Sequence, residues 1–340
     1  MCSDETEIYA QNTVRRAWKM GYQPVLVQYR GASGIELSSP KTYGCGEYPD
    51  VTEAIDYIFE QYCREIDRKI FALGFSMGGN WLGMALGKNM DNFQSKITAA
   101  ACMQSPIKMR NSFLNMKFAW GGMINWNLGK RYQKVFRENL DYLQPTYLQK
   151  YSVDLRDLVE NLSGVHEFEE KLNWKLCNQS SFDEYHKNYA SGNFMHRIKI
   201  PTLFYFTEDD PLINKSCMEF ENSKDNENIL ICSTKHGAHL CHYEHFFTID
   251  QWLPKPALEF FEYFRLHELK KPNPYIHKNE AIVNDDVIDE SLLELDDNKK
   301  YDSRLILGKI GKSGELRGQE EKDSDDDVVG SLSFTPRMDQ

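Results

Sequence analysis

Short apolar runs alternate with helix-like segments along most of the chain. Runs that would suit buried strands occupy residues 24–29, 70–73, 97–103, 201–206 and 229–232. Apolar residues recur at helical spacing in residues 4–20, 51–62, 81–86 and 256–269, and Asp4 with Glu7 predicts a cap for the first helix. This alternation predicts an α/β fold, with a mostly parallel sheet and helices on both faces.

The alternation breaks between residues 108 and 198. This stretch is rich in Trp, Tyr, Phe and Asn, and two helices are predicted near residues 130–142 and 153–162. We interpret residues 108–198 as a helical cap inserted between two core segments, residues 1–107 and 199–270. Five aromatic side chains of this cap would suit an acyl chain, and ordinary packing explains each of them equally well: Trp120, Trp126, Tyr132, Phe136 and Tyr142.

The net charge of −11 belongs mainly to the C-terminal part of the chain. Residues 281–340 contain 16 Asp and Glu against 8 Lys and Arg, which leaves a net charge of −3 for residues 1–280. We predict a disordered acidic tail over residues 271–340, because this composition cannot bury enough apolar surface to fold. The absence of a basic stripe and of zinc-finger spacing argues against a nucleic-acid-binding protein.

Eight scattered cysteines, without a C-x-x-C pair, favour reduced thiols and an intracellular protein over a disulfide framework. No apolar run reaches the roughly 18 residues of a membrane span, and the N-terminus does not resemble a signal peptide. The chain shows no metal-ligand spacing or cofactor motif, so we predict neither a metal nor a cofactor.

A serine lies between two glycines where a predicted strand becomes a predicted helix. Residues 74–78 read GFSMG, a match to G-x-S-x-G. Glycines at such a turn let the chain bend sharply and let other groups approach the serine closely. The motif predicts a nucleophile, provided that the partners of a reactive serine occur elsewhere in the chain.

A serine hydroxyl becomes a strong nucleophile when a base removes its proton and an acid orients that base. In doubly wound hydrolases the acid and then the histidine follow the serine, each on a loop after its own strand. Residues 207–211, TEDDP, and residues 233–239, STKHGAH, follow predicted strands in this order.

Several stretches together resemble the α/β-hydrolase superfamily. They are GFSMGGN at residues 74–80, the segment 29–55 that begins YRGASG, PTLFYFTEDDPLIN at 201–214 and STKHGAHLC at 233–241. More narrowly, residues 3–269 resemble the branch called AB hydrolase family 4, which includes YheT-like esterases, medium-chain ester synthases and phospholipid-cleaving hydrolases. The resemblance implies an α/β-hydrolase fold with a helical cap, lacking the N-terminal strands.

The resemblance also implies a role for single residues. Ser76 would be the nucleophile, His239 the general base because Gly-Ala precedes it, and Asp210 the acid because Pro-Leu follows it. Asp209 is the alternative acid, and His236 is interpreted as a loop histidine. The implied reaction is hydrolysis of a lipid or a medium- or short-chain acyl ester through an acyl-serine intermediate, without a cofactor or metal.

The resemblance further implies an oxyanion hole with Met77 as one backbone N–H donor. In the family a second donor follows an upstream strand, which here would end just before Met1, so we expect an N-terminally shortened form. Relatives often attach to membranes through such upstream residues, and we expect a cytoplasmic or membrane-associated protein whose partner is a small acyl ester or lipid. An acyltransferase and a non-catalytic binding remnant of the fold are the alternatives.

One further pattern has the H-x-x-x-x-D spacing of some acyltransferases. It covers residues 245–250, HFFTID, and lacks a supporting Gly-Pro context. We interpret it as a helical turn that packs on the core.

Overall fold

A computed structural model describes residues 6–32, 34–66, 68–89, 91–218, 220, 223–245, 247–269, 308–310 and 316–318. The strands are β1 (Phe71–Phe75), β2 (Ala99–Met103), β3 (Thr202–Thr207), β4 (Ile229–Thr234), β5 (Gly308–Ile310) and β6 (Leu316–Gly318). The helices up to the second core strand are α1 (Ile8–Lys19), α2 (Tyr48–Ile58), α3 (Met77–Lys88) and α4 (Asp91–Gln94). A π-helical turn, Phe59–Cys63, continues α2.

The remaining helices are α5 (Met109–Phe118), α6 (Met123–Glu138), α7 (Leu140–Tyr151), α8 (Leu155–Glu160), α9 (Val165–Phe168), α10 (Trp174–Leu176), α11 (Phe182–Asn188) and α12 (Pro254–Leu269). A second π-helical turn, Glu169–Asn173, joins α9 to α10. Short 3-10 turns lie at Ala119–Gly122, Ser191–Asn193, Met195–Arg197 and Lys215–Cys217.

Strands β1 to β4 form a parallel sheet in the order β1-β2-β3-β4. The register pairs Phe71 with Ala99, Ala100 with Thr202, and Thr202 with Ile229. All five residues of β2, which reads AAACM, are buried, as is typical of a central strand of a parallel sheet with helices on both faces. Since the strands are parallel, the loops that follow them leave from one edge of the sheet.

Alternate side chains of the sheet pack against two helical layers. On one face Ala72, Ala100 and Phe204 belong to an apolar cluster with residues of α2 and α3. On the other face Ala101 and Tyr205 belong to a cluster with residues of α1 and α12. Each strand thus contributes to two layers, as its period of two requires. The predicted α/β fold with a mostly parallel sheet is confirmed.

Helices α5 to α11 all lie between β2 and β3 in the chain, and their side chains build a third apolar cluster. Its ring contacts include Phe136 with Phe168, whose centroids are 4.5 Å apart, and Tyr132 with Phe168 at 5.2 Å. Met77 and Trp81 of α3 belong to the same cluster, which joins the cap to the start of α3. The residue boundaries proposed for the cap and for the two core segments stay predictions.

The carboxyl group of Glu169 is fully buried where the cap meets the core. It accepts hydrogen bonds from the hydroxyl of Tyr185 at 2.9 Å and from the side-chain amide of Asn173, and the thiol of Cys45 lies 3.5 Å from both oxygens. Burial raises the pKa of Glu169 to about 7, although the donors around it act in the opposite direction. Ionisation of this carboxyl is therefore coupled to the folding of the chain.

The strand predicted at residues 24–29 is wrong. The segment contains a single bridge residue, Val27, and the side chains of Val25 and Val27 are 39% and 41% exposed. A strand needs a neighbour to accept and donate its backbone hydrogen bonds, and in the described sheet β1 pairs with β2 and not with this segment. Apolar residues alone did not determine pairing here.

The cap predicted for the first helix is also different in the structure. The helix begins at Ile8, and Glu7 at the N-cap position forms no side-chain capping bond. The Glu7 carboxylate instead accepts a hydrogen bond from Arg131 at 2.9 Å, because a full positive charge competes well for it. Asp4, the other half of the predicted cap, lies outside the described residues.

The helical turn predicted for residues 245–250 is wrong as well. His245 is exposed, Phe247 is 94% exposed, and the described residues of this segment are not helical. Glu244 donates its N–H to the carbonyl of Asp250 at 2.9 Å, which holds the segment as a loop closed by the bridge between Tyr243 and Gln251.

Most of the predicted acidic tail, residues 271–340, lies outside the described residues, so its disorder stays a prediction. The exceptions are β5 and β6, which pair in antiparallel register with Lys309 opposite Arg317. No helix in the described part of the chain combines the length and the apolar character that crossing a bilayer requires.

Candidate active site

Ser76 occupies the sharp turn between β1 and α3. Its backbone lies at φ 50° and ψ −120°, a conformation that costs an L-residue roughly 1–3 kcal/mol unless its surroundings enforce it. The N–H of Ser76 donates to the carbonyl of Met103 on β2 at 2.8 Å, which fixes the turn against the sheet. A Cβ on Gly74 would lie 2.4 Å from the carbonyl oxygen of Gly78, so the first glycine of the motif is required by close packing.

The structure brings Ser76, His239 and Asp210 into direct contact. The Ser76 Oγ lies 3.0 Å from Nε2 of His239, and Nδ1 of His239 lies 2.7 Å from Oδ2 of Asp210. The His239 side chain is 17% exposed and that of Asp210 is fully buried. An imidazole held in this way can accept the serine proton at one nitrogen while a carboxylate orients the other nitrogen.

The loop after β3 fixes the buried carboxylate. Asp210 Oδ1 accepts hydrogen bonds from the backbone N–H groups of Leu212 at 2.7 Å and Ile213 at 3.0 Å. Its other oxygen is thereby directed at the imidazole of His239. Both carboxylate oxygens have charge-stabilising partners, as a buried carboxylate requires.

Asp209 and His236 lie near Ser76, His239 and Asp210 but do not take part in the contacts between them. Asp209 accepts hydrogen bonds from the N–H groups of Ala238 at 2.8 Å and Gly237 at 3.3 Å, so it binds the backbone of the histidine loop. Partial burial acts to raise the pKa of Asp209, but these two N–H groups hold it below its ordinary value. His236 is 87% exposed at its side chain and approaches Asp209 at 3.4 Å.

The sequence analysis missed Gln104, which follows β2 and is fully buried. Its side-chain amide donates to the carbonyl of Ala238 and to Thr207 Oγ1 at 2.8 Å, and its amide oxygen accepts from the N–H of Leu240 at 2.6 Å. It therefore binds the histidine loop on both sides of His239. A polar residue after an all-apolar strand, at the sheet edge that carries the other loops, was the signal that could have indicated it.

We expect Gln104→Leu to lower kcat for ester hydrolysis by about 10- to 100-fold with little change in KM. The substitution keeps the side-chain size and removes both bonds to the loop, and a displacement of about 1 Å of a reacting group has effects of this order. Steady-state kinetics on a soluble short-chain ester measures it.

Gln94→Leu is the matched control, because Gln94 is also a buried glutamine that binds three backbone groups, those of Leu86, Arg197 and Lys199. Both variants should lose similar free energy of unfolding, and the Gln94 variant should keep its kcat. Equal losses of kcat would show that Gln104 contributes to stability alone.

The described residues contain no group of three His, Cys, Asp or Glu side chains arranged to hold a metal ion. The five aromatic residues named for the cap separate into two sets. Tyr132 and Phe136 are fully buried in the apolar cluster of the cap, whereas Trp120, Trp126 and Tyr142 are exposed. Packing therefore accounts for the first two residues.

Comparison with known proteins gives one family match and several distant relatives. Residues 10–152 match the model of the prolyl oligopeptidase family. Monoacylglycerol lipase ABHD2 of Danio rerio is 24% identical over 277 residues, which cover 78% of this chain and 62% of that protein. A monoacylglycerol lipase of Saccharomyces cerevisiae is 22% identical over 252 residues, covering 72% of this chain and 53% of that protein.

This chain thus spans less than two thirds of the length of either relative. Among solved structures, the esterase Pf2001 of Pyrococcus furiosus has a TM-score of 0.48 and 17% identity, with 77% of each chain covered. The narrower resemblance to AB hydrolase family 4 stays a prediction. With a parallel sheet between two helical layers, a G-x-S-x-G turn after β1 and these relatives, the chain is a member of the α/β-hydrolase superfamily.

Proposed function

We propose that the chain is a serine hydrolase of carboxylic esters. The observation that carries this proposal is the continuous contact from the Ser76 Oγ through the imidazole of His239 to the Asp210 carboxylate, at 3.0 and 2.7 Å. No metal is needed for this chemistry, since the imidazole can both remove and return the proton.

In the acylation step, Ser76 Oγ attacks the carbonyl carbon of the ester while Nε2 of His239 takes its proton. The oxyanion that forms from the carbonyl oxygen accepts a hydrogen bond from the backbone N–H of Met77. Met77 is the first residue of α3, so its amide lies at the positive end of that helix. The imidazolium then gives its proton to the departing alcohol, and the acyl group stays on Ser76. Asp210 stabilises the imidazolium through Nδ1.

In the deacylation step, a water molecule replaces the alcohol. His239 removes a proton from the water, the resulting hydroxide attacks the acyl-serine, and the carboxylic acid leaves as Ser76 recovers its proton. As substrates we propose esters of lipids or of medium- and short-chain acyl groups. The names of the two relatives, both monoacylglycerol lipases, support this choice of substrates.

A fluorophosphonate probe tests the proposal, because it reacts covalently with an activated serine and not with an ordinary hydroxyl. The wild-type chain should be labelled on the peptide that contains Ser76, and Ser76→Ala should abolish labelling. Ser105→Ala, which changes a buried serine after β2, is the control and should keep it. A folded wild-type chain that is not labelled would contradict the proposal and favour a non-catalytic remnant of the fold.

A further inference from the structure

The cap carries several large apolar side chains that are exposed to solvent. We call five of them the apolar patch: Leu114, Phe118, Trp120, Met123 and Trp126, which are 50%, 70%, 68%, 54% and 53% exposed. Contiguous exposed apolar side chains, as opposed to single ones, are typical of sites that bind a partner or a membrane.

The backbone at residues 114–126 places these side chains on two consecutive helices, α5 and α6, and on the turn that joins them. Leu114 and Phe118 are four residues apart on α5, and Met123 and Trp126 are three residues apart on α6, so each pair shares a helix face. The 3-10 turn between the two helices carries Trp120 at a positive φ of 51°. A Cβ built on the neighbouring Gly121 would meet no atom within 4 Å, so there is open space beside this turn.

The charge around the apolar patch has the opposite sign to that of the whole chain. Although the chain has a net charge of −11, residues 108–137 contain no Asp or Glu. The same residues contain seven basic side chains: Lys108, Arg110, Lys117, Lys130, Arg131, Lys134 and Arg137. This segment of the sequence is therefore basic, although the chain as a whole is acidic.

Three of these basic side chains form ion pairs with acidic residues outside the segment or at its end. Arg110 approaches Asp183, Arg131 approaches Glu7 and Lys134 approaches Glu138, at 3.2, 2.9 and 3.8 Å.

Two others, Lys117 and Lys130, lie at the apolar patch. The ammonium group of Lys117 lies 5.9 Å from the ring centroid of Phe118, and that of Lys130 lies 5.9 Å from the ring centroid of Trp126. Lysines therefore border the aromatic rings of the patch on both helices.

We propose that the apolar patch docks onto an anionic lipid surface. Tryptophan and phenylalanine on one face, with lysines beside them, form the combination that inserts into the headgroup region of a bilayer. The basic segment adds the electrostatic attraction to anionic headgroups that makes such shallow insertion stable. An apolar protein partner would not require the lysines beside Phe118 and Trp126.

The buried face of α5 belongs to the apolar cluster of the cap. Met109, Phe113 and Met116 belong to the same buried cluster as Met77, the residue after Ser76.

The same helix also contacts the loop that carries Asp210. Asn111 donates a hydrogen bond to the carbonyl of Ser216 at 2.8 Å, and Asn115 donates one to the carbonyl of Leu212 at 3.3 Å. Lipid docking does not depend on the proposed hydrolase activity, since a chain without a reactive serine would present the same patch.

Flotation of the full chain with vesicles tests the proposal. Wild type should bind vesicles of phosphatidylcholine and phosphatidylserine at least tenfold more tightly than vesicles of phosphatidylcholine alone. Lys117→Glu with Lys130→Glu should reduce binding to the anionic vesicles by at least about twentyfold, because each basic residue near such a surface contributes about a factor of five. Lys175→Glu is the control, since Lys175 also lies over a tryptophan, Trp174, at 5.6 Å but outside the patch.

Removal of the apolar contacts is a second, independent test. Trp120→Asp with Trp126→Asp should reduce binding to both kinds of vesicle at least tenfold, whereas Leu148→Asp, at a side chain 54% exposed on α7, should not. Ser76→Ala should bind like wild type. The proposal is overturned if wild type does not float with anionic vesicles, if the patch variants bind as wild type does, or if the chain sediments as a dimer that the Trp variants dissociate.

Discussion

Asp210→Asn is expected to lower kcat for ester hydrolysis by about 10⁴-fold with KM nearly unchanged. The carboxylate of Asp210 accepts from Nδ1 of His239 at 2.7 Å, which leaves Nε2 free to take the serine proton. An asparagine of the same shape can turn its NH₂ group toward the imidazole and thereby favour the opposite tautomer, in which Nε2 already carries a proton. Steady-state kinetics on a soluble short-chain ester would measure the loss.

Asp209→Asn is the matched control, because it alters the adjacent carboxylate by the same chemical change. Asp209 accepts from the N–H groups of Ala238 and Gly237, and the amide oxygen of an asparagine can keep one of these bonds. We therefore expect kcat to fall by less than about tenfold, as for the loss of one hydrogen bond that positions a loop. A larger loss for Asp209→Asn than for Asp210→Asn would make Asp209 the acid.

Glu169→Gln is expected to remove a pH dependence of stability. The Glu169 carboxyl has a pKa of about 7 when folded, against an ordinary value of 4.5. Between these pH values the unfolded chain releases the proton while the folded chain keeps it, so the free energy of unfolding falls as pH rises. The fall amounts to about 3 kcal/mol for a shift of this size, and it is complete above the folded pKa.

Urea unfolding of wild type and Glu169→Gln, across the range from about pH 4.5 to about pH 8, would measure this difference. The variant should gain stability over wild type progressively as pH increases, because its amide cannot ionise. Glu170→Gln, at the next and exposed position, should follow wild type at every pH. Parallel curves for wild type and Glu169→Gln would show that the buried carboxyl does not titrate in this window.

The loops that hold Ser76, Asp210 and His239 were predictable because each follows an apolar run that forms a strand of the parallel sheet. Once those strands were predicted to be parallel, their ends had to share one edge of the sheet. The choice of Asp210 over Asp209 did not follow from residue type, because both are carboxylates on one turn. The structure separates them by direction: one contacts His239 and the other binds the backbone of the histidine loop.

Two features of the fold lay beyond local sequence patterns. Gln104 acts through contacts with residues more than a hundred positions away, at Thr207 and Leu240, and no local spacing encodes such a contact. Residues 24–29 have the composition of a strand, but strand formation depends on a neighbour and not on composition alone. Helical periodicity gave more reliable predictions, because α2 and α12 form their hydrogen bonds within one segment.

Because the cap is inserted between β2 and β3, the surface that the cap presents can change independently of the geometry of the Asp210 and His239 loops. The distance between the loops of Asp210 and His239 depends on the backbone register of β3 with β4, which pairs Thr207 with Thr234 at their ends. Residues 104–201 connect the end of β2 to the start of β3, and β2 lies on the opposite side of β3 from β4. Substitutions on the outer surface of the cap can therefore change which molecules the protein binds without moving the groups that transfer the proton. We expect the sequences of related chains to differ most on that surface.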